Sequence, residues 1–165
     1  INRLIPDLIR NITENKVPVI RNPKHIRPWS HVLDIIYGYL IVAERALEEE
    51  SGFKSYNFSA DFDKNYNVLK VANLFLKKFN VKTIRINNNK KYNEKKSLII
   101  NSKKVRENLS WKPLYSAERA INITADWYLD NWNKKASPLD LTINQIENYI
   151  NEVNQNYNNL FRNIV

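Results

Sequence analysis

Apolar residues recur along this chain at two periods, and the switches between them outline the elements. From Arg3 to Asn15, Leu4, Ile5, Leu8, Ile9 and Ile12 fall at helical spacing. Pro18 to Ile20 is a short extended run, closed by the turn pair Asn22-Pro23. Ile26 to Val32 is compatible with a strand, and His31 to Glu49 reads as a long apolar helix with an acidic end. Gly38 lies inside that helix, where a glycine points to close packing. Lys54 to Ser59 predicts a buried strand centred on Tyr56-Asn57-Phe58. Asn67 to Phe79 predicts an amphipathic helix with Val68, Val71, Ala72, Phe75 and Phe79 on one face. Val81 to Ile86 alternates as a strand, the stretch 87–96 is a polar loop, and Ser97 to Ile100 is extended. Ser102 and Ser116 are candidate caps for helices running to Leu109 and to about Trp132. Lys134 to Pro138 reads as a linker. Thr142 then opens a last helix with Ile143, Ile146, Tyr149, Ile150 and Val153 on one face. Helices dominate, with about four short strands between them, an α/β arrangement. The expected division is 1–132 and a carboxy-terminal linker and helix over 133–165.

Composition narrows the classes. The 165 residues are 43% hydrophobic and 12% aromatic, enough for a packed core and too apolar for a disordered chain. No apolar run reaches the roughly 20 residues that span a bilayer, so no membrane partner is expected. There are no cysteines, so no disulfide framework or thiolate site; a cytoplasmic protein is permitted. With no methionine, residue 1 does not read as a translation start, and the chain is expected to be a fragment or a processed product. Its two glycines, Gly38 and Gly52, cannot form a glycine-rich phosphate loop. The net charge of +9 raises nucleic acid as a partner. However, the cations are mostly lysines, scattered apart from a run over 87–96, and they accompany many Asn and Ile residues as in AT-rich coding sequence. That reading is the weaker one.

Several stretches, taken in order, resemble extended short-chain dehydrogenases that act on nucleotide sugars. Arg3-Leu4-Ile5-Pro6-Asp7 resembles the start of their substrate-domain helix. Val19-Ile20-Arg21-Asn22-Pro23 followed by Ile26-Arg27-Pro28-Trp29-Ser30-His31-Val32 resembles a segment that relatives write with Arg-Asp-Trp or Arg-Asp-Phe. The Arg-Pro-Trp form is typical of the CDP-glucose 4,6-dehydratases. Gly38-Tyr39-Leu40, Tyr56-Asn57-Phe58, Ser102-Lys103-Lys104 to Leu109-Ser110-Trp111-Lys112-Pro113, Ala125-Asp126-Trp127-Tyr128 and Leu141-Thr142 to Tyr149 match further elements of that group. The resemblance covers about residues 2–150. Ser59 and Ser110 stand where the family usually has glycine.

The resemblance implies the carboxy-terminal, substrate-binding part of a Rossmann-type extended short-chain dehydrogenase, helix-rich, with several short strands and an incomplete Rossmann core. It implies a lyase that uses NAD to convert CDP-glucose to CDP-4-keto-6-deoxyglucose with loss of water, for polysaccharide sugars. NAD and the catalytic Tyr-x-x-x-Lys pair would belong to an amino-terminal half absent from this chain. The partners implied are CDP-glucose, that missing half and further copies in a homo-oligomer. By the same resemblance Arg27 is the candidate diphosphate ligand, since a guanidinium fits phosphate oxygens in pairs. Asn57 is a candidate nucleotide contact and Arg3, at the helix start, a candidate substrate contact, and Tyr92, Asn93 and Glu94 would lie on a loop closing over the nucleotide.

Each of these has a structural alternative: a salt bridge for Arg27, a turn-capping amide for Asn57, a surface position for Arg3 and a solvated loop for 92–94. Trp29, Trp111 and Trp127 read as core anchors, with Trp29 a further candidate for the sugar pocket. Tyr66 to Lys70 and Tyr92 to Lys96 both spell Tyr-x-x-x-Lys, but outside a cofactor-binding context such matches carry no catalytic role. His25 and His31, six apart with no cysteine or carboxylate cluster, satisfy no metal-ligand spacing, and His31 reads as a helix-start residue. The competing functions are another nucleotide-sugar dehydratase or epimerase, and a basic helical module that binds nucleic acid.

Overall fold

In the computed structural model, residues 3–48, 55–61, 63–87 and 95–162 are described. They form two compact units, residues 1–126 and 127–165.

In the first unit, α1 (Leu4–Thr13) opens after Arg3, whose backbone is extended (φ −114°, ψ 132°). Pro6 lies in the first turn, where a missing N–H costs no intrahelical bond. The helix ends at Asn15, which takes a left-handed conformation (φ 52°) that asparagine tolerates well. α1 buries Leu8 and packs against α3 (Val68–Lys78) and β1 (Val19–Arg21). The side chain of Asn67 caps α3 by accepting from the Lys70 N–H at 2.9 Å. The predicted apolar face holds: Val68, Val71, Ala72, Phe75 and Leu76 are buried, and the Phe75 and Phe79 rings stack at 5.3 Å.

β1 pairs in parallel with β2 (Arg85–Asn87), Ile20 opposite Ile86. This is the one sheet among the described residues. The strand expected over Val81 to Ile86 therefore begins later, because its partner β1 is only three residues long. The expected strand at Tyr56 to Phe58 is not formed: residues 55–60 carry no ladder among the described residues. A strand exists by pairing, and here Phe58 packs instead edge-on to Trp111 at 5.0 Å and to Tyr39 at 5.4 Å. Ile26 and Ser97 do join in extended pairing, as an isolated bridge.

α2 (Val32–Glu48) starts beside His31, whose Nδ1 accepts from the Leu33 N–H at 3.3 Å. The Asp34 carboxylate accepts from the Leu114 N–H at 2.7 Å, and its carbonyl accepts from the Trp111 indole at 3.1 Å. These bonds tie the helix start to the buried segment after α4 (Lys103–Leu109). Gly38 is required by that packing: a Cβ there would stand 2.4 Å from Phe58 Cε1. Ser102 does not cap α4 with its side chain. Asn101 does so through the Lys103 N–H at 2.9 Å, while the Ser102 hydroxyl faces Ser59 and Arg106. Ser110 ends the helix in the left-handed region (φ 52°, ψ 16°), and Trp111 follows into the core.

α5 (Ala117–Trp132) is capped by Ser116, which accepts from the Arg119 N–H at 3.3 Å. The second unit begins within this helix. α6 (Pro138–Arg162) starts four residues earlier than expected. Ser137 accepts from the Asp140 N–H at 3.1 Å and Pro138 fills the first helical position, a combination that outcompetes a start at Thr142. Thr142 is inside the helix and accepts from the Trp127 indole at 3.1 Å.

Candidate functional site

A cleft of about 420 Å³ opens where α1, β1, the segment after it and α3 meet. Three local features place its polar groups. Arg3 lines it from the start of α1. Arg21 ends β1 on the same side as Val19, as the two-residue repeat of a strand dictates. His25 and Arg27 come from the turn beyond Asn22, which is left-handed (φ 50°) and accepts from the His25 N–H at 2.9 Å.

That turn is held on both sides. The Leu69 and Val68 N–H groups donate to the carbonyls of Pro23 and His25 at 3.0 and 2.9 Å. On the other side the Ile26 N–H donates to Lys96 and its carbonyl accepts from Leu98, at 2.9 and 3.1 Å. Arg27 is thus fixed at its backbone, and its side chain is fixed as well. Nη1 donates to the carbonyls of Ile26 and Lys95 at 2.9 and 3.0 Å, and Nη2 lies 3.1 Å from His25 Nδ1. A guanidinium can only donate, so that imidazole nitrogen accepts, and the ring proton is on Nε2. The Trp29 indole donates to the Tyr66 carbonyl at 2.7 Å, which sets its ring at the cleft wall.

Three arginines, Arg3, Arg21 and Arg27, line this cleft with one carboxylate residue, Asp7. Asp7 is itself bonded to Arg10 at 2.8 Å. A concave, partly desolvated surface with this imbalance concentrates anions, and guanidinium pairs suit phosphate oxygens.

Of the sequence candidates, Arg3 and Arg27 share the cleft. Asn57 is exposed and does not line it. Tyr92, Asn93 and Glu94 lie outside the described residues. Arg21, His25 and Asp7 were not singled out as anion-site residues; the strand repeat that puts Arg21 beside Val19 is the signal that could have found the first. Tyr66 heads one of the two Tyr-x-x-x-Lys matches. Its hydroxyl donates to Glu118 at 2.7 Å, which pushes its pKa up to about 12, away from the ionisable phenol that proton abstraction needs. His31 is buried, which pulls it down to about 4 and keeps it neutral. Among the described residues no group of three or more His, Cys, Asp or Glu could hold a metal, and no helix is long and apolar enough to cross a membrane.

The same chain path occurs in known structures. The dTDP-glucose 4,6-dehydratase of Bacillus anthracis, solved in complex with NAD, matches 78% of this chain with a TM-score of 0.64 at 21% identity. The fold is that of part of an extended short-chain dehydrogenase. The UDP-glucuronic acid 4-epimerase of Bacillus cereus, in complex with UDP-glucuronic acid and NAD, matches 78% with a TM-score of 0.61 at 18% identity. The UDP-glucose 4-epimerase of Thermotoga maritima, with UDP-glucose, matches 76% with a TM-score of 0.61 at 16% identity.

In sequence, the chain resembles the CDP-glucose 4,6-dehydratase of Salmonella typhimurium, 47% identical over 58 residues, which are 34% of this chain and 16% of that protein. No family model matches. The chain spans about two fifths of the length of these solved structures, covering 39%, 40% and 38% of them. An incomplete Rossmann-type core, with a two-stranded parallel sheet, agrees with that partial coverage.

Proposed function

We propose that this chain is the nucleotide-sugar-binding portion of a CDP-glucose 4,6-dehydratase, and that its cleft holds the diphosphate. The observation that carries this reading is the convergence of Arg3, Arg21 and Arg27 on one cleft. Two of the three stand in the Val-Ile-Arg-Asn-Pro and Ile-Arg-Pro-Trp stretches that resemble that enzyme. The identity of the curated relative favours CDP-glucose over the dTDP- and UDP-sugars named for the solved structures.

Arg27 would anchor the diphosphate, with its plane set by His25 and the two carbonyls. Arg3 and Arg21 would neutralise the remaining charge, and Trp29 would offer an aromatic wall. Asn57 and the loop carrying Tyr92, Asn93 and Glu94 would add nucleotide contacts.

NAD would be held elsewhere in the enzyme, a reading supported by the place of the described glycine. Gly38 faces Phe58 and Trp111 within a helix rather than opening a phosphate cradle. The cofactor and the catalytic residues of this lyase would therefore lie in a part of the enzyme outside this chain. The face of α2 bearing Val32, Ile36, Leu40 and Leu47, which are 61%, 45%, 62% and 90% exposed, supports docking of that part, because apolar surface gathered on one helix face favours association. The enzyme would work in the cytoplasm, supplying sugars for polysaccharides.

Calorimetric titration of the chain with CDP-glucose, dTDP-glucose and UDP-glucose tests the reading. CDP-glucose should bind tightest. Arg27→Ala should weaken it by about tenfold or more, the loss of a hydrogen bond to a charged group worth about 1.5–3 kcal/mol. Arg27→Lys should recover part of this, lacking the paired donors. With NAD and CDP-glucose the chain alone should give no keto-sugar. Equal affinity for all three sugars, or an unchanged affinity in Arg27→Ala, would remove the cleft from nucleotide-sugar binding.

A further inference from the structure

Arg27 is held at its two terminal nitrogens by groups of different kinds. Nη1 donates to the backbone carbonyls of Ile26 and Lys95 at 2.9 and 3.0 Å, acceptors that no side-chain substitution removes. Nη2 lies 3.1 Å from the Nδ1 of His25. The backbone brings that pair about. Ile26 sits in isolated bridges with Asn67 and Ser97, so the chain there follows the geometry of a strand, and the residues on either side of Ile26 project in the same direction. His25 is anchored in turn: its N–H donates to the Asn22 carbonyl and its carbonyl accepts from the Val68 N–H, both at 2.9 Å. Both side chains line the cleft and both are half-buried.

We propose that His25 is the positioning residue of this anion site. As a neutral ring protonated on Nε2, it accepts from Arg27 and fixes the direction in which the guanidinium offers its donors. The ligand named rests on the nucleotide-sugar reading; the pairing of the two side chains does not. Carbonyls at Nη1 alone pin one corner of the guanidinium and leave the group able to pivot about it. A second contact, at Nη2, removes the pivot. An arginine ordered before the ligand arrives avoids the affinity lost when a long side chain is ordered on binding, roughly three- to tenfold.

A neutral acceptor suits this place better than a carboxylate. Aspartate or glutamate at 25 would hold the guanidinium more firmly, but would cancel its charge beside an anionic ligand. The charged residues lining the cleft with His25 are Arg3, Asp7, Arg21 and Arg27, and Asp7 is bonded to Arg10 at 2.8 Å. Val68, the residue that α3 contributes, is apolar. The imidazole therefore positions Arg27 and leaves the cationic excess of the cleft as it is.

Substitutions at 25 separate positioning from bulk and charge. Asn carries its amide oxygen two bonds from Cβ, where histidine has Nδ1; Gln carries it three bonds away, where histidine has Nε2. In calorimetric titration of the chain with CDP-glucose at about pH 8, above the ordinary range of imidazole, His25→Ala and His25→Gln should bind roughly three- to tenfold more weakly. His25→Asn should recover most of that loss, and His25→Asp should not. With Arg27→Ala already in place, His25→Ala should cost nothing further. Circular dichroism checks that each variant folds; if His25→Ala does not, the contrast of Asn with Gln carries the test. Proton–nitrogen correlation spectra read the ring directly without ligand, and His31→Gln assigns the signals of the two histidines. Nδ1 should be the unprotonated nitrogen. A ring protonated on Nδ1 overturns the proposal, as does His25→Asn binding no better than His25→Ala, or His25→Ala costing as much without Arg27 as with it. A wild type that binds no CDP-glucose strikes the nucleotide-sugar reading instead; inorganic pyrophosphate, titrated into the same variants, then decides the role of His25, and binding of neither overturns both.

Discussion

Adding a single methyl group at Gly38 pits two known effects against each other. An interior helical glycine costs about 1 kcal/mol relative to alanine, so Gly38→Ala should stabilise α2 if nothing were near. The new Cβ would, however, lie 2.4 and 2.5 Å from Phe58 Cε1 and Cδ1, and 3.0 Å from Trp111 Nε1. Carbon atoms in contact normally stand about 3.5–4.0 Å apart, so the ring must retreat by roughly 1 Å. On one side it meets Trp111 edge-on at 5.0 Å, and Trp111 is only 1% exposed; on the other it meets the exposed Tyr39 at 5.4 Å. Overpacking of this kind costs about 1–3 kcal/mol. The clash should outweigh the helical gain, and Gly38→Ala should lose up to about 2 kcal/mol, the overpacking cost less about 1 kcal/mol of helix propensity. Urea unfolding followed by far-ultraviolet circular dichroism measures it. The decisive comparison is a double-mutant cycle with Phe58→Ala: once the ring is gone, Gly38→Ala should become neutral or stabilising, a coupling of about 1–3 kcal/mol. If Gly38→Ala is at least as stable as wild type with Phe58 present, the ring does not sit over Gly38 and the packing of α2 on residues 55–60 is wrong.

His31 gives a dependence on pH. Its folded-state value of about 4 lies below the ordinary 6.5, so the unfolded chain takes up the proton first as pH falls. Its contribution is complete above pH 6.5 and is lost progressively between about 6.5 and about 4, up to about 3 kcal/mol. Unfolding free energies at pH 7 and pH 5 should differ less in His31→Gln than in wild type, and equal differences would refute the burial argument. Ser110→Gly should stabilise by about 0.5–1 kcal/mol, since glycine relieves the left-handed conformation at φ 52° at a smaller cost in chain entropy. A thermal melt with an unchanged or lower midpoint would count against that geometry.

Much of this protein is written in local sequence. The period of apolar residues located α1, α2, α3 and α5 to within about two residues, because each helix buries one stripe and the stripe must repeat with the turn. Gly38 signalled close packing, and His31 stands at a helix start, both properties of a few neighbouring residues. The stretches around Arg21 and Arg27 carried the resemblance to nucleotide-sugar dehydratases without any coordinates.

Other features were decided only in three dimensions. Tyr56-Asn57-Phe58 has the composition of a strand, yet forms none among the described residues, since a strand is made by its partner and Phe58 is claimed by Trp111 and Gly38. The start of α6 went to Ser137 and Pro138 rather than Thr142, a competition between caps that apolar periodicity does not register. The cleft itself could not be read from the chain: Arg3, Arg21 and Arg27 meet because β1 is clamped between α1 and α3, and the turn after it between Val68 and Lys96. Sequence fixes which residues are basic, but only that clamp makes three of them neighbours.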